Sequence, residues 1–276
     1  KSVYTGFYTT VTNFSSDKMG FDNLQAGALR PWDGTGSYYE EPHLASFLGR
    51  VNYTYADRYV LTVNARTDAS SKFGANHKWG FFPSIGLAWR ASEEKFLAGN
   101  KVITNLKVRG SFGVTGNQEI GNYKSLAQLK VDNYIYNDTE IQGFYETIGN
   151  PDLKWERANQ FDIGIDLSLW NRIHVTADYY HRKTSDLLYN VPIPSTSGFS
   201  SMLSNVGSVL NKGWELSITG NIIDLNDLKI DATVNLSRNT NKIKELYNDV
   251  QSITLKSGLG LSSYLKVGES LNSRYA

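Results

Sequence analysis

YTYADRYVLTVNARTDASSKFGANHKWGFFPSIGLAWRASEEKFL, residues Tyr53–Leu97, holds two runs of apolar/polar alternation separated by a polar loop. In Arg58–Asp68 the odd positions include Tyr59, Leu61, Val63 and Ala65, and the even ones Thr62, Asn64, Arg66 and Asp68. In Ser84–Ser92 one side carries Ile85, Leu87, Trp89 and Ala91, the other Ser84, Gly86, Ala88, Arg90 and Ser92. Successive side chains of a strand point to opposite faces, so each run reads as a strand with one greasy and one wet side. What the greasy side meets decides the fold.

The alternation recurs along most of the chain. Ala45–Tyr55 sets Ala45, Phe47, Gly49, Val51, Tyr53 and Tyr55 against Ser46, Arg50, Asn52 and Thr54. Leu106–Thr115, Gln160–Leu169, Ile173–Arg182, Trp214–Ile222 and Leu228–Leu236 repeat the scheme, and Val3–Thr12 and Leu261–Val267 are weaker candidates. No segment shows a helical period of useful length, so the chain reads as all-β.

Connections alternate in length. Short ones fall at Tyr55–Asp57, Leu169–Asn171 and Asp224–Asp227, with a medium one at Ser92–Thr104. Long ones fall at Ser70–Lys78, Gly116–Glu156, Ser185–Asn205 and from Asn239 onward. Parity supports hairpins: keeping even residues wet in both Gln160–Leu169 and Ile173–Arg182 requires an odd loop. A three-residue turn at Leu169–Asn171 satisfies this and sets Asp166 opposite His174, and Tyr55–Asp57 follows the same arithmetic.

Composition removes several classes. Among 276 residues nothing approaches the roughly 18 continuous apolar residues of a membrane helix. A net charge of +1 leaves no electrostatic footprint for nucleic acid, and the absence of cysteine removes disulfide and thiolate-metal scaffolds. A soluble carbohydrate-binding β-sandwich also alternates, but three features favour a membrane wall. The strands run to about ten residues, as tilted spanning strands do. Short turns gather at one end and long loops at the other. Aromatics collect near strand ends, with Tyr53, Tyr55, Tyr59 and Trp170 by the turns and Trp79, Phe81 and Phe82 opposite.

Ordered blocks carry a family resemblance. Arg50–Gly74 (RVNYTYADRYVLTVNARTDASSKFG), Trp79–Leu97, Asn105–Tyr123 (NLKVRGSFGVTGNQEIGNY), Asn150–Leu169 (NPDLKWERANQFDIGIDLSL), Asp178–Phe199 and Asn205–Gly220 together closely resemble SusC/RagA-type TonB-dependent outer-membrane transporters. The resemblance implies an antiparallel up-and-down transmembrane β-barrel of about 22 strands with a plugged lumen. It implies import of oligosaccharides or peptides across the outer membrane of a Gram-negative bacterium. A SusD-like surface lipoprotein and the TonB complex are the implied partners. Residues 1–276 then read as part of one barrel domain, with the plug, the TonB-contacting segment and the closing C-terminal strands outside this chain. The remaining alternative within the outer membrane is a porin-like or adhesive barrel without energised transport.

Candidate functional residues follow from facing. Arg66, Asp68, Arg90, Arg109, Asp162, Asp166 and Asp178 all belong to wet faces. Arg or Lys on a lipid face costs about 2–4 kcal/mol at mid-bilayer, and acidic side chains somewhat less, so these residues are expected in the lumen. Pairing with each other or contact with the plug is favoured there over direct cargo contact. Tyr134, Phe144, Tyr145 and Trp155 lie in the long loop Gly116–Glu156, where they are expected to meet cargo or the lipoprotein.

Other features read as structural. His174 and His181 are seven apart on one strand and so face opposite sides, and Gly116–Gly121 opens like a phosphate loop but has Asn122 and Tyr123 where Lys and Ser/Thr are needed. Glu93–Glu94 reads as solvated loop charge. No catalytic, metal or cofactor constellation stands out, and the chain reads as non-enzymatic.

Overall fold

The alternating segments become neighbouring strands of one antiparallel sheet. The computed structural model describes residues 10–14, 18, 20, 22, 24, 27–29, 37, 39–137, 139–225, 227–256 and 262–271. A small pair, β1 (Thr12–Phe14) and β2 (Gly27–Leu29), precedes β3 (Leu44–Tyr55), β4 (Tyr59–Ser70), β5 (Trp79–Arg90) and β6 (Ile103–Asn117). Then come β7 (Gln128–Tyr136), β8 (Thr139–Thr147), β9 (Glu156–Leu169), β10 (Ile173–Ser185), β11 (Leu188–Pro192) and β12 (Ser201–Asn205). The series ends with β13 (Ser208–Asp224), β14 (Lys229–Glu245), β15 (Ser252–Lys256) and β16 (Ser262–Lys266). Eight of these form the wall in the order β14-β13-β10-β9-β6-β5-β4-β3, each strand beside its predecessor in the up-and-down path.

The wall strands run from 12 residues in β3 to 17 in β13 and β14. Twelve residues extend roughly 40 Å, enough for a tilted strand to cross an apolar band of about 25 Å. Every residue of β3 is exposed, and so are Phe47, Val51, Ile163, Ile165 and Leu236. So large a continuous apolar surface is what a wall immersed in hydrocarbon presents.

Register preserves the expected faces but moves the turns. Tyr55 opposes Tyr59 and Leu169 opposes Ile173, so the connections are residues 56–58 and 170–172, one later than the sequence suggests. Ala56, Asp57, Trp170 and Asn171 all have φ between 51° and 54°. Arg58 N–H donates to the Tyr55 carbonyl at 3.1 Å and Arg172 N–H to Leu169 at 2.9 Å. Two left-handed residues inside such a bond match the right-handed twist of the strands, and both must fit before the ladder resumes. The shift changes opposition by two residues and therefore leaves every facing intact. Asp166 consequently opposes Thr176 rather than His174, and His174 Nδ1 lies 2.9 Å from Ser168 Oγ. The third turn also slides, to residues 225–228.

The long connections contain structure that the alternation did not reveal. β7–β8, β11–β12 and β15–β16 are separate hairpins. The Leu261–Val267 candidate becomes β16, paired with β15 and not part of the wall, whereas Val3–Thr12 lies mostly outside the described residues.

Among the described residues a buried apolar cluster sits at the long-loop end. Pairing of β5 with β6 stops at Ser84 opposite Gly113, while β6 stays paired with β9 as far as Asn117. Phe73, Phe82, Val114, Leu153 and Trp155 pack where the ladder stops, with Ile120, Leu188 and Leu203 against them. Trp155 meets Phe73 at 4.9 Å and the edge of Phe82 at 5.3 Å between centroids. Phe82 thus belongs to this core and not to the lipid-facing girdle expected of it, because its position opposite Arg66 places it on the wet parity. At the same end Phe47 and Trp79 stack outside, 6.1 Å apart.

Candidate functional site: the wet face of the wall

The even-numbered residues of β4 and their counterparts on neighbouring strands form ladders of polar contacts. Arg50 Nε donates to Asn64 Oδ1, and Asn64 Nδ2 donates to Ser84 Oγ at 2.9 Å. Thr62 donates to Asn52 at 2.9 Å, and Asn221 to Asp231 at 2.7 Å. These groups satisfy one another across strands, which a hydrocarbon-facing surface would not allow at low cost.

The centre of this face is a charged network on three strands. Arg109 of β6 reaches Asp178 of β10 at 2.8 Å and Asp166 of β9 at 3.3 Å. Lys107 adds a second cation 3.5 Å from Asp166, and Thr176 donates to the same carboxylate at 3.4 Å. Arg109, Gly164 and Asp178 share one row across β6, β9 and β10. A Cβ at Gly164 would collide with Asp178 Oδ1 and Arg109 Cζ, so the missing side chain is what lets the guanidinium cross β9. Asp162 stands one row away, accepting from Gln160 at 2.9 Å and Ser111 at 3.3 Å.

Toward the long-loop end, Arg66 Nε contacts both oxygens of Asp68, at 2.9 and 2.7 Å, and Asp68 is buried. Arg50, Asn64, Arg66, Ser84 and Asn117 line a recess of about 940 Å³ beneath the apolar cluster. Arg90 lies apart, opposite Lys107 and without an ion pair among the described residues. The wet candidates therefore resolve into the Arg109–Asp166–Asp178 network, its neighbour Asp162, the Arg66–Asp68 pair and solitary Arg90. All lie on one surface of the sheet. Such a surface can hold water, a polar solute or another protein domain.

The comparisons with known proteins bear on what this surface encloses. A family model described as TonB dependent receptor-like, beta-barrel, matches residues 2–274. The chain belongs to that family. It is 38% identical over 98% of its length to TonB-dependent receptor P3 of Formosa agariphila, and 37% identical over 83% to TonB-dependent receptor SusC of Bacteroides thetaiotaomicron. A solved structure of the RagAB peptide transporter superposes with a TM-score of 0.74 at 33% identity, covering 93% of this chain. The chain spans about a quarter of these relatives, 27%, 24% and 28% of their respective lengths. TonB-dependent receptors are transport proteins of the outer membrane, and this chain forms a segment of such a barrel. In outer-membrane barrels an apolar face meets lipid and a polar face meets the interior, and the two faces of this sheet divide in that way.

The loop candidates divide. Trp155 is buried, and its indole N–H is spent on the Lys78 carbonyl at 2.9 Å. It packs the base of the loops and is not positioned to touch cargo or a lipoprotein, as the sequence reading had it; its place among aromatic neighbours excludes it. Tyr134, Phe144 and Tyr145 lie on the β7–β8 hairpin, and their side chains fall outside the described residues.

Two sets of residues escaped the sequence. Asn205 accepts from Lys154 N–H at 2.8 Å and donates to the Lys154 and Asp186 carbonyls at 2.7 and 3.0 Å. Asn150 donates to the Leu203 carbonyl at 2.8 Å, and Gly74 N–H to Leu153 at 2.9 Å, so three loops are tied together. The second set surrounds Glu94 at the short-turn end. Its carboxylate accepts from Tyr59 Oη at 2.6 Å, Trp89 Nε1 at 3.3 Å and Arg58 at 3.1 Å. The Tyr59 hydrogen bond, then that of Trp89, holds the Glu94 carboxyl below the ordinary glutamate value. Glu94 is thus a clamp on the aromatic girdle, where solvated loop charge was expected. Only the spacing of Trp89 and Glu94 after a strand end could have hinted at it.

Proposed function

We propose that this chain is wall from the barrel of an energised outer-membrane importer that takes up oligosaccharides or peptides together with a SusD-like surface lipoprotein. The observation that supports this most is the division of one sheet into an apolar face and a hydrogen-bonded polar face crossed by the Arg109 network. It occurs in a chain similar over 83% of its length to SusC and over 93% to the RagAB peptide transporter. The plug, the TonB-contacting segment and the remaining strands belong to the rest of the barrel in this reading. The lumen charges serve chiefly to pair with one another and to seat the plug, with cargo passing beside them. An uptake assay tests the proposal: cells carrying the full-length gene should accumulate fluorescent oligosaccharide or peptide only when TonB is functional. Accumulation independent of TonB would point to a passive pore instead, and co-purification of a lipoprotein with the tagged transporter tests the partner.

A further inference from the structure

Glycine leaves the lipid-facing side without a side chain at Gly49, Gly110 and Gly220, and at Gly110 the gap lies within a recess. Register aligns Leu61, Leu87, Gly110, Ile163, Tyr179 and Trp214 in a single row across β4, β5, β6, β9, β10 and β13. Five positions of that row carry large apolar or aromatic side chains and the sixth has none. A Cβ at Gly110 would meet only the Asp162 carbonyl, at 3.8 Å, so packing does not force glycine there. Glycine inside a strand weakens it and often marks the close approach of something else. The gap opens into a recess of about 410 Å³ walled by Tyr53, Tyr59, Trp89, Val108 and Ile163.

Two further observations define what fits. The recess lies over the β5–β6 seam, which has the shortest ladder in the wall, from Ser84–Gly113 to Arg90–Lys107. Its short-turn end meets the polar clamp of Glu94 with Tyr59, Trp89 and Arg58. It is thus apolar along its length, polar at one end, and open to the bilayer. Short turns mark the periplasmic side of outer-membrane barrels, so the polar end lies at that leaflet's headgroup level.

We propose that this recess is a fixed lipid site, in which one acyl chain of a periplasmic-leaflet phospholipid lies over Gly110 and covers the β5–β6 seam. The chain occupies the volume that a side chain at position 110 would take, and the headgroup sits at the Tyr59–Trp89 girdle with its ethanolamine ammonium toward the Glu94 carboxylate. This inference rests on the membrane placement of the wall and is independent of what the transporter carries.

The test uses the full-length transporter reconstituted in phosphatidylethanolamine vesicles containing a trace of phosphatidylethanolamine with a diazirine in mid-chain. After photolysis, adducts mapped by mass spectrometry should concentrate on Tyr53–Leu61, Leu87–Trp89 and Val108. The expected enrichment is roughly tenfold over the equally outward Val175, Ile218 and Val234, a preference of about 1.4 kcal/mol. Gly110→Phe should remove the enrichment and Gly110→Ala reduce it, with heat-modifiable migration showing that each variant is folded. Even labelling of the outward face in the natural protein would overturn the proposal, as would enrichment that persists in folded Gly110→Phe. If Gly110→Phe fails to insert, the natural protein and Gly110→Ala still decide the question.

Discussion

The wall and the loop platform above it are built on opposite principles. In β3 no residue is buried, and the sheet exposes Val51, Ile165 and Leu236 on one face while Arg109 and Asp178 pair on the other. At the loop end Phe73, Leu153 and Trp155 are buried, with loop carbonyls and amides tied to Asn150 and Asn205. The wall relies on its ladder and on two solvents, hydrocarbon outside and water inside. The platform relies on an ordinary hydrophobic core. A substitution should therefore act through solvent matching in one region and through packing in the other.

Trp155→Ala should be the most damaging to the platform, by about 3–5 kcal/mol for a buried indole. Hydrogen exchange at the Gly74 amide should rise sharply while exchange in β9 and β10 stays slow. Equal loss in both would show that the two regions are one cooperative unit. Leu61→Arg or Ile165→Arg should cost about 2–4 kcal/mol in the wall, whereas Asn64→Arg, which loses the Arg50 hydrogen bond and sets a like charge opposite it, should cost only about 1 kcal/mol. The folded fraction in vesicles, read by heat-modifiable migration, checks this, and equal tolerance at both kinds of position would contradict the facing.

Arg109→Met should have a smaller effect, about 1 kcal/mol, since the network is partly exposed and Lys107 remains beside Asp166. Denaturant titration at low and high salt should show the difference shrinking with salt. The smallest effect concerns Glu94. Its folded value is depressed, so the clamp's contribution is complete above the ordinary glutamate value of about 4.3 and fades as pH falls through the lower folded value. Trp89 fluorescence should therefore hold steady from neutral to mildly acid pH and shift only in stronger acid. Glu94→Gln should remove that step.

Legibility in the sequence differed between the same two regions. Strand facing from Ala45 to Leu236 was readable because side-chain direction has a period of two that no distant contact alters. Arg66, Asp68, Arg109, Asp166 and Asp178 could be placed on one surface by parity alone. Their partners could not, since pairing depends on register, and register waited on where Ala56, Asp57, Trp170 and Asn171 took left-handed conformations. Gly164 interrupts the polar parity of β9, and its use as a passage for Arg109 is visible only once three strands are aligned. Trp155 was misread for a related reason: a loop aromatic can face solvent or pack inward, and residues as distant as Phe73 determine which.

By itself the sequence determined that this chain is an antiparallel β-wall with one face for lipid and one for water, because alternation is a local property of the backbone. Only the tertiary structure decided which charges meet, which loops interlock and where the outer face is left open at Gly110. Those depend on register and on contacts between residues far apart along the chain, about which local periodicity carries no information.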